Sequence, residues 1–150
     1  MSSPIHIQLV RPTDFNAWLL LWQGYQAFYQ TDIPESVTQQ TWDRFLTESE
    51  PMHSALAWQD NQAIGMVNYI EHRSCWTKGD YVYLQDLFVS PSCRGGGVGR
   101  KLIEHVYQHA THISASRVWW LTHETNQDAM KLYDKIANRP GFVQYRHLIG

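Results

Sequence analysis

Cysteine is scarce in this sequence, with two residues, Cys75 and Cys93, in 150. Two thiols define no disulfide framework, and a chain of this length buries enough surface for one core without a bridge, so both read as free thiols of a reducing compartment. An excess of either charge is also lacking: 12 Lys and Arg stand against 14 Asp and Glu, a formal charge of −2. No overall field steers the chain to nucleic acid or to an anionic membrane, and neither is expected as a partner. No apolar run approaches the ~18 residues of a membrane span, and Met1 opens no charged-then-apolar leader, which leaves the cytoplasm as the expected location. Linkers, repeats and low-complexity tracts are missing too, so residues 1–150 read as one domain.

Aromatic residues are plentiful: seven Trp, eight Tyr and five Phe are expected to dominate the core and line a pocket. Ile5 to Val10 alternates apolar and polar and stops at Arg11-Pro12, as a strand does. From Phe15 to Phe28 the residues Phe15, Trp18, Leu19, Trp22, Tyr25 and Phe28 recur at helical steps, with Thr13 or Asp14 placed to cap. A second helix is expected over Glu35 to Glu48, ending before Pro51. Ser54–Gln59 and Ala63–Ile70 read as a hairpin turning at Asp60-Asn61, and Tyr81–Val89 as a central strand closed by Ser90-Pro91. Val98, Leu102, Ile103, Val106, Tyr107 and Ala110 then keep helical spacing. A short strand over Arg117–Leu121, a helix over Gln127–Ala137 and a last strand over Phe142–Leu148 complete the order β-α-α-β-β-β-α-β-α-β, an α/β fold with a mixed sheet.

The segment richest in chemistry lies between the central strand and the helix that follows it: Arg94-Gly95-Gly96-Gly97-Val98-Gly99-Arg100. Glycines there leave backbone N–H groups uncovered, and the helix N-terminus adds partial positive charge, which together make a diphosphate cradle. The dinucleotide pattern G-x-G-x-x-G fails in register, because Arg100 or Leu102 stands where its third glycine belongs. The nucleotide pattern G-x-x-x-x-G-K-[ST] fails because Arg100 precedes Lys101.

Arg94, Gly97 and Gly99 do fit R/Q-x-x-G-x-G/A, and this segment resembles the acetyl-CoA loop of the GNAT superfamily of N-acetyltransferases. Leu84 to Val89 is similar to that superfamily's fourth strand, and Asn126 to Tyr133 to its N-x-x-A-x-x-x-Y segment. The text Val118-Trp119-Trp120-Leu121-Thr122 and the tail Phe142–Arg146 resemble the Hpa-type histone and polyamine acetyltransferases. One departure is that Gly141 lies eight residues after Tyr133, where many members have four, so the loop Asn138–Pro140 is longer.

The resemblance implies a GNAT-like fold and an acetyl-CoA-dependent N-acetyltransferase acting on a primary amine, such as a polyamine, a protein lysine or another small amine. It gives the acetyl-CoA site to the backbone of Leu87, Phe88 and Val89, to Arg94, Gly95, Gly96, Gly97, Val98, Gly99 and Arg100, and to Asn126 and Tyr133. Tyr133 is implied as the acid that protonates the leaving thiolate. Several relatives carry Glu at the position of Gln85, and glutamine cannot take a proton, so Asp86 or an ordered water chain must serve as base, with Glu71 and Glu124 as reserves. Regular alternation predicts that Gln85 and Asp86 point to opposite faces. His105, His109 and His112 sit near helical spacing but lack Cys or carboxylate partners at ligand spacing, so they read as surface histidines and no metal is expected. A homodimer or larger assembly is expected from the family and the aromatic C-terminal strand. The rival reading is an acyl-CoA-binding module without turnover, which Gln85 favours and Tyr133 opposes.

Overall fold

The structure is a computed structural model that describes residues 3–150. By internal contacts the chain divides into two units, the first reaching to Trp120 and the second spanning Leu121–Gly150.

The first unit holds one five-stranded sheet in the order β1-β2-β3-β4-β5: β1 (His6–Leu9), β2 (Met52–Gln59), β3 (Gln62–His72), β4 (Tyr81–Val89) and β5 (Arg117–Trp119). The first four pair antiparallel, and β5 joins β4 in parallel through a helical crossover. The β2–β3 turn uses Asp60 and Asn61 with φ of 53° and 62°, the left-handed pair that a tight two-residue hairpin demands and that Asp and Asn tolerate best after glycine. Helices α1 (Phe15–Phe28) and α2 (Glu35–Phe45) precede the β2–β4 meander, and α3 (Val98–His112) forms the crossover.

Alternation along β3 divides the core. Met66 belongs to one cluster with Trp18, Leu21 and Trp22 of α1, Trp42 of α2, Leu56 and Phe88. Its indole rings pack together, Trp18 stacked on Trp22 with centroids 5.4 Å apart and tilted against Trp42 at 5.2 Å. The Trp22 indole donates to Thr38 Oγ1 at 3.0 Å, which ties α1 to α2 while satisfying a buried N–H. On the other face lies α3, burying Val98, Leu102, Ile103, Val106 and Ala110. Gly65 permits that approach: a Cβ there would meet Leu102 and Val98 side-chain atoms at 3.0 Å and the Phe88 carbonyl oxygen at 3.3 Å.

The second unit contains α4 (Gln127–Ile136). The expected last strand is not formed: 138–150 have no regular structure, and Phe142, Val143, Tyr145, Leu148 and Ile149 are exposed. Aromatic content favours a strand only when a neighbour supplies the ladder, and among the described residues no strand pairs with Phe142–Leu148.

Candidate active site

β4 carries the feature that shapes the site. Its pairing with β3 runs Val67↔Leu87 and Asn68↔Asp86, then jumps to Tyr69↔Leu84, so Gln85 is an extra residue in a β-bulge. The bulge reverses the expected alternation. Gln85 and Asp86 both line one cavity of about 180 Å³, together with Asn68 and Ile70 of β3, Met52 of β2, and residues of α1, α2 and their connection that include Trp22, Ile33 and Phe45. The ladder between β4 and β5 covers only Tyr81–Tyr83 against Arg117–Trp119. Leu84–Val89 therefore continues beyond the paired part of that edge, with backbone donors and acceptors facing away from β3.

Asp86 ends a chain of buried polar groups. Asn68 Nδ2 donates to Asp86 Oδ2 at 3.0 Å, and Asn68 Oδ1 accepts from Ser54 Oγ at 2.7 Å and, at 3.5 Å, from the Trp18 indole. Tyr25 is the other polar neighbour that favours the ionised Asp86 carboxyl. Burial pushes the Asp86 carboxyl above its ordinary range, more than Asn68 and Tyr25 hold it down. The Tyr25 phenol is held well above its usual range by burial and by the carboxylate beside it, so it stays a donor. The cavity lining carries one carboxylate and no cationic side chain.

Past Val89 the chain makes a short 3-10 turn, Pro91–Cys93, and reaches α3 through Gly95 and Gly97, whose φ values are 87° and 81°. Gly97 caps α3 in the left-handed region, and nothing lies within 4 Å of a Cβ built at either glycine. The backbone requires glycine there, and the space above it is open. The first N–H groups of this 15-residue helix have no intrahelical acceptor and border that space, as an anionic phosphate requires. Arg94 is folded back, its Nε donating to the Val89 carbonyl at 3.1 Å and its guanidinium over the Phe28 and Phe88 rings at 5.3 and 5.6 Å. Arg100 is exposed and 3.7 Å from Glu104.

The glycine cradle and the bulged strand before it lie within a longer stretch that known proteins share. The sequence signature of the acetyltransferase (GNAT) family matches residues 17–137. The chain belongs to the GNAT acetyltransferase family. It is 37% identical over 148 residues to D-amino-acid N-acetyltransferase HPA3 of Saccharomyces cerevisiae, covering 97% of this chain and 92% of that protein. It is 35% identical over 93 residues to thialysine N-epsilon-acetyltransferase of Mus musculus, covering 59% of this chain and 54% of that one. Among solved structures, AAC(6')-Iy in complex with the bisubstrate analog CoA-S-monomethyl-acetylneamine superposes with a TM-score of 0.85 at 20% identity, over 99% of this chain and 100% of that one, a likeness of fold.

The acetyltransferase distributes its expected site residues over both units. Asp86, Leu87, Phe88, Val89 and the loop from Arg94 to Arg100 lie in the first, Asn126 and Tyr133 in the second. Asn126 stands at the N-cap of α4 but makes no capping bond, its Nδ2 reaching Thr122 Oγ1 at 3.3 Å; Tyr133 lies two turns on, half-buried. Of the reserve bases, Glu124 is exposed, and Glu71 is not in the cavity. Glu71 meets His53 and His109 instead, so it is no solvated surface carboxylate, and His105 and His109 are half-buried rather than on the surface, while His112 is exposed. Sequence reasoning missed Asn68, Ser54 and Tyr25. A polar Asn inside the apolar run Met66–Ile70 was the one available signal.

Proposed function

We propose that the acetyltransferase takes its acetyl group from acetyl-CoA and passes it to a small primary amine held in the cavity beside Asp86. The carrying observation is that cavity: about 180 Å³, walled largely by aromatic and aliphatic side chains, with a single half-buried carboxylate. A chamber of that size suits an amino-acid-sized or linear amine, and its one anion suits an ammonium. Acetyl-CoA supplies an activated acetyl thioester. Backbone N–H groups at the start of α3 would hold its diphosphate, the open edge of Leu87–Val89 its pantetheine arm, and Arg94, Arg100 and Asn126 further polar contacts. Asp86 accepts the proton the ammonium must lose, and its raised affinity for protons makes it a better base than an ordinary carboxylate. Tyr133 donates a proton to the leaving sulfur.

For the acceptor, the 37% identity to a D-amino-acid N-acetyltransferase supports D-amino acids. The cavity's lack of a cationic side chain supports instead a terminal amine remote from any carboxylate, such as a polyamine or a lysine-like ε-amine. We further propose that residues 1–150 act as one domain, as a homodimer, in the cytoplasm; two free thiols agree with a reducing compartment.

The test is acetyl-CoA-dependent thiol release over D- and L-amino acids, lysine, spermidine and an aminoglycoside, for wild type and Tyr133→Phe. Saturable turnover with a small amine is expected, with the variant losing about 10²-fold or more in kcat while still binding acetyl-CoA by calorimetry. Binding without turnover on any amine would leave the module reading standing.

A further inference from the structure

On the sheet face covered by α3, away from the cavity, three elements bring His53 of β2, Glu71 of β3 and His109 of α3 together. Glu71 Oε1 lies 2.8 Å from His53 Nε2 and 2.5 Å from His109 Nε2, and one nitrogen or oxygen of each residue lies within 4.8 Å of the others. The two imidazole rings are 4.7 Å apart between centroids, so their Nε2 atoms converge on the same carboxylate oxygen. Among the described residues this is the one group of three such side chains. We infer that His53, Glu71 and His109 form a binding site for a divalent transition-metal ion, Zn²⁺ by its ligand chemistry.

Two imidazoles and a carboxylate are a borderline donor set that suits Zn²⁺ and excludes Mg²⁺, which demands oxygen. Around a tetrahedral Zn²⁺ with bonds of about 2.0–2.1 Å, neighbouring ligand atoms stand about 3.3 Å apart. The two His–Glu contacts are shorter than that and all three ligand atoms lie within 4.8 Å of one another, so small side-chain rotations seat the ion. The side chains are 26%, 19% and 19% exposed for His53, Glu71 and His109, which leaves solvent access and room for a water as fourth ligand. A carboxylate only accepts, so in the metal-free form both imidazoles donate from Nε2. On metal binding the Nε2 lone pairs must be free, with Nδ1 carrying the proton of each neutral ring. His105 is not a ligand, because its Nε2 is paired with the Tyr69 hydroxyl at 2.9 Å. The ion would clamp the last turns of α3 to β2 and β3 and so fix the helix whose first turn borders the glycine loop.

The test uses the full chain, free of affinity tag and dialysed against chelator, titrated with ZnCl₂ by calorimetry and with CoCl₂ by visible absorption. Expected are one ion per chain, the intense bands of four-coordinate Co²⁺, and a melting temperature that rises with Zn²⁺ but not with Mg²⁺. His109→Ala and Glu71→Gln should each weaken Zn²⁺ binding by about 100-fold or more, while His112→Ala, exposed on the same helix, should not. Glu71→Gln keeps a hydrogen-bond acceptor, so it reports on the site should His109→Ala fail to fold. Absence of one-to-one binding in the wild type, or binding undiminished in Glu71→Gln, would overturn the assignment and leave a polar network that only links helix to sheet.

Discussion

Asp86 sits where a carboxylate is costly to keep ionised, and its position makes a role in proton transfer testable by two independent measurements. Its native carboxyl binds protons more tightly than the same group in the unfolded chain, whose ordinary value is 3.8. Between 3.8 and the raised native value the native state holds more protons than the unfolded state, so folding stability falls as pH rises through that window. The deficit persists above it. Asp86→Asn removes the charge and keeps an acceptor for Asn68, so its melting temperature should exceed that of wild type at neutral pH and match it below 3.8. The same variant should lose about 10²–10⁴-fold in kcat/KM, together with the acid limb of the pH profile, at unchanged acetyl-CoA affinity. A variant both less stable at neutral pH and fully active would show that Asp86 is only a structural anchor for Asn68 and Tyr25.

The loop into α3 poses the same kind of question for an element, because two adjacent glycines there do different jobs. Gly97 has φ of 81° with open space where a Cβ would stand, so Gly97→Ala strains the backbone without any clash, by about 1–2 kcal/mol. Gly96 has no left-handed φ, and its Cβ would meet the Cys93 carbonyl oxygen at an ordinary 3.7 Å, so Gly96→Ala should stay within about 0.5 kcal/mol of wild type. Urea denaturation of the pair checks this, and KM for acetyl-CoA should rise for Gly97→Ala; equal costs would mean that crowding, not conformation, selects glycine here. Such local demands were legible in the sequence: the loop, the span Phe15–Phe28 and the strand Tyr81–Val89 each follow from spacing within a few residues. The family resemblance implies that this strand bulges, but the place of the bulge at Gln85 was not legible, since an extra residue exists only against a partner strand. Nor were the Asn68 relay and the His53–Glu71–His109 group, whose members come from separate elements and meet only through register.

For the whole molecule, the unformed strand is the part of the sequence pattern that one chain leaves unused. Phe142, Val143, Tyr145, Leu148 and Ile149 are all exposed on one short segment, more apolar surface than scattered solvent-facing residues ordinarily present. Their aromatic and β-branched side chains suit a ladder, and a second copy of the chain offers the same segment in the self-complementary way that a two-fold dimer requires. Pairing between copies would satisfy backbone donors and acceptors and cover the aromatic side chains at once. Sedimentation of the full chain should therefore give twice the 17.5 kDa chain mass, with dissociation on dilution. Removing residues 142–150 should give particles of single-chain mass at every concentration while retaining Tyr133, so any activity the shortened chain keeps measures what a lone copy can do. A full-length protein that sediments as single chains at working concentration would show instead that this segment pairs with no second copy, and that its apolar side chains serve some purpose other than assembly.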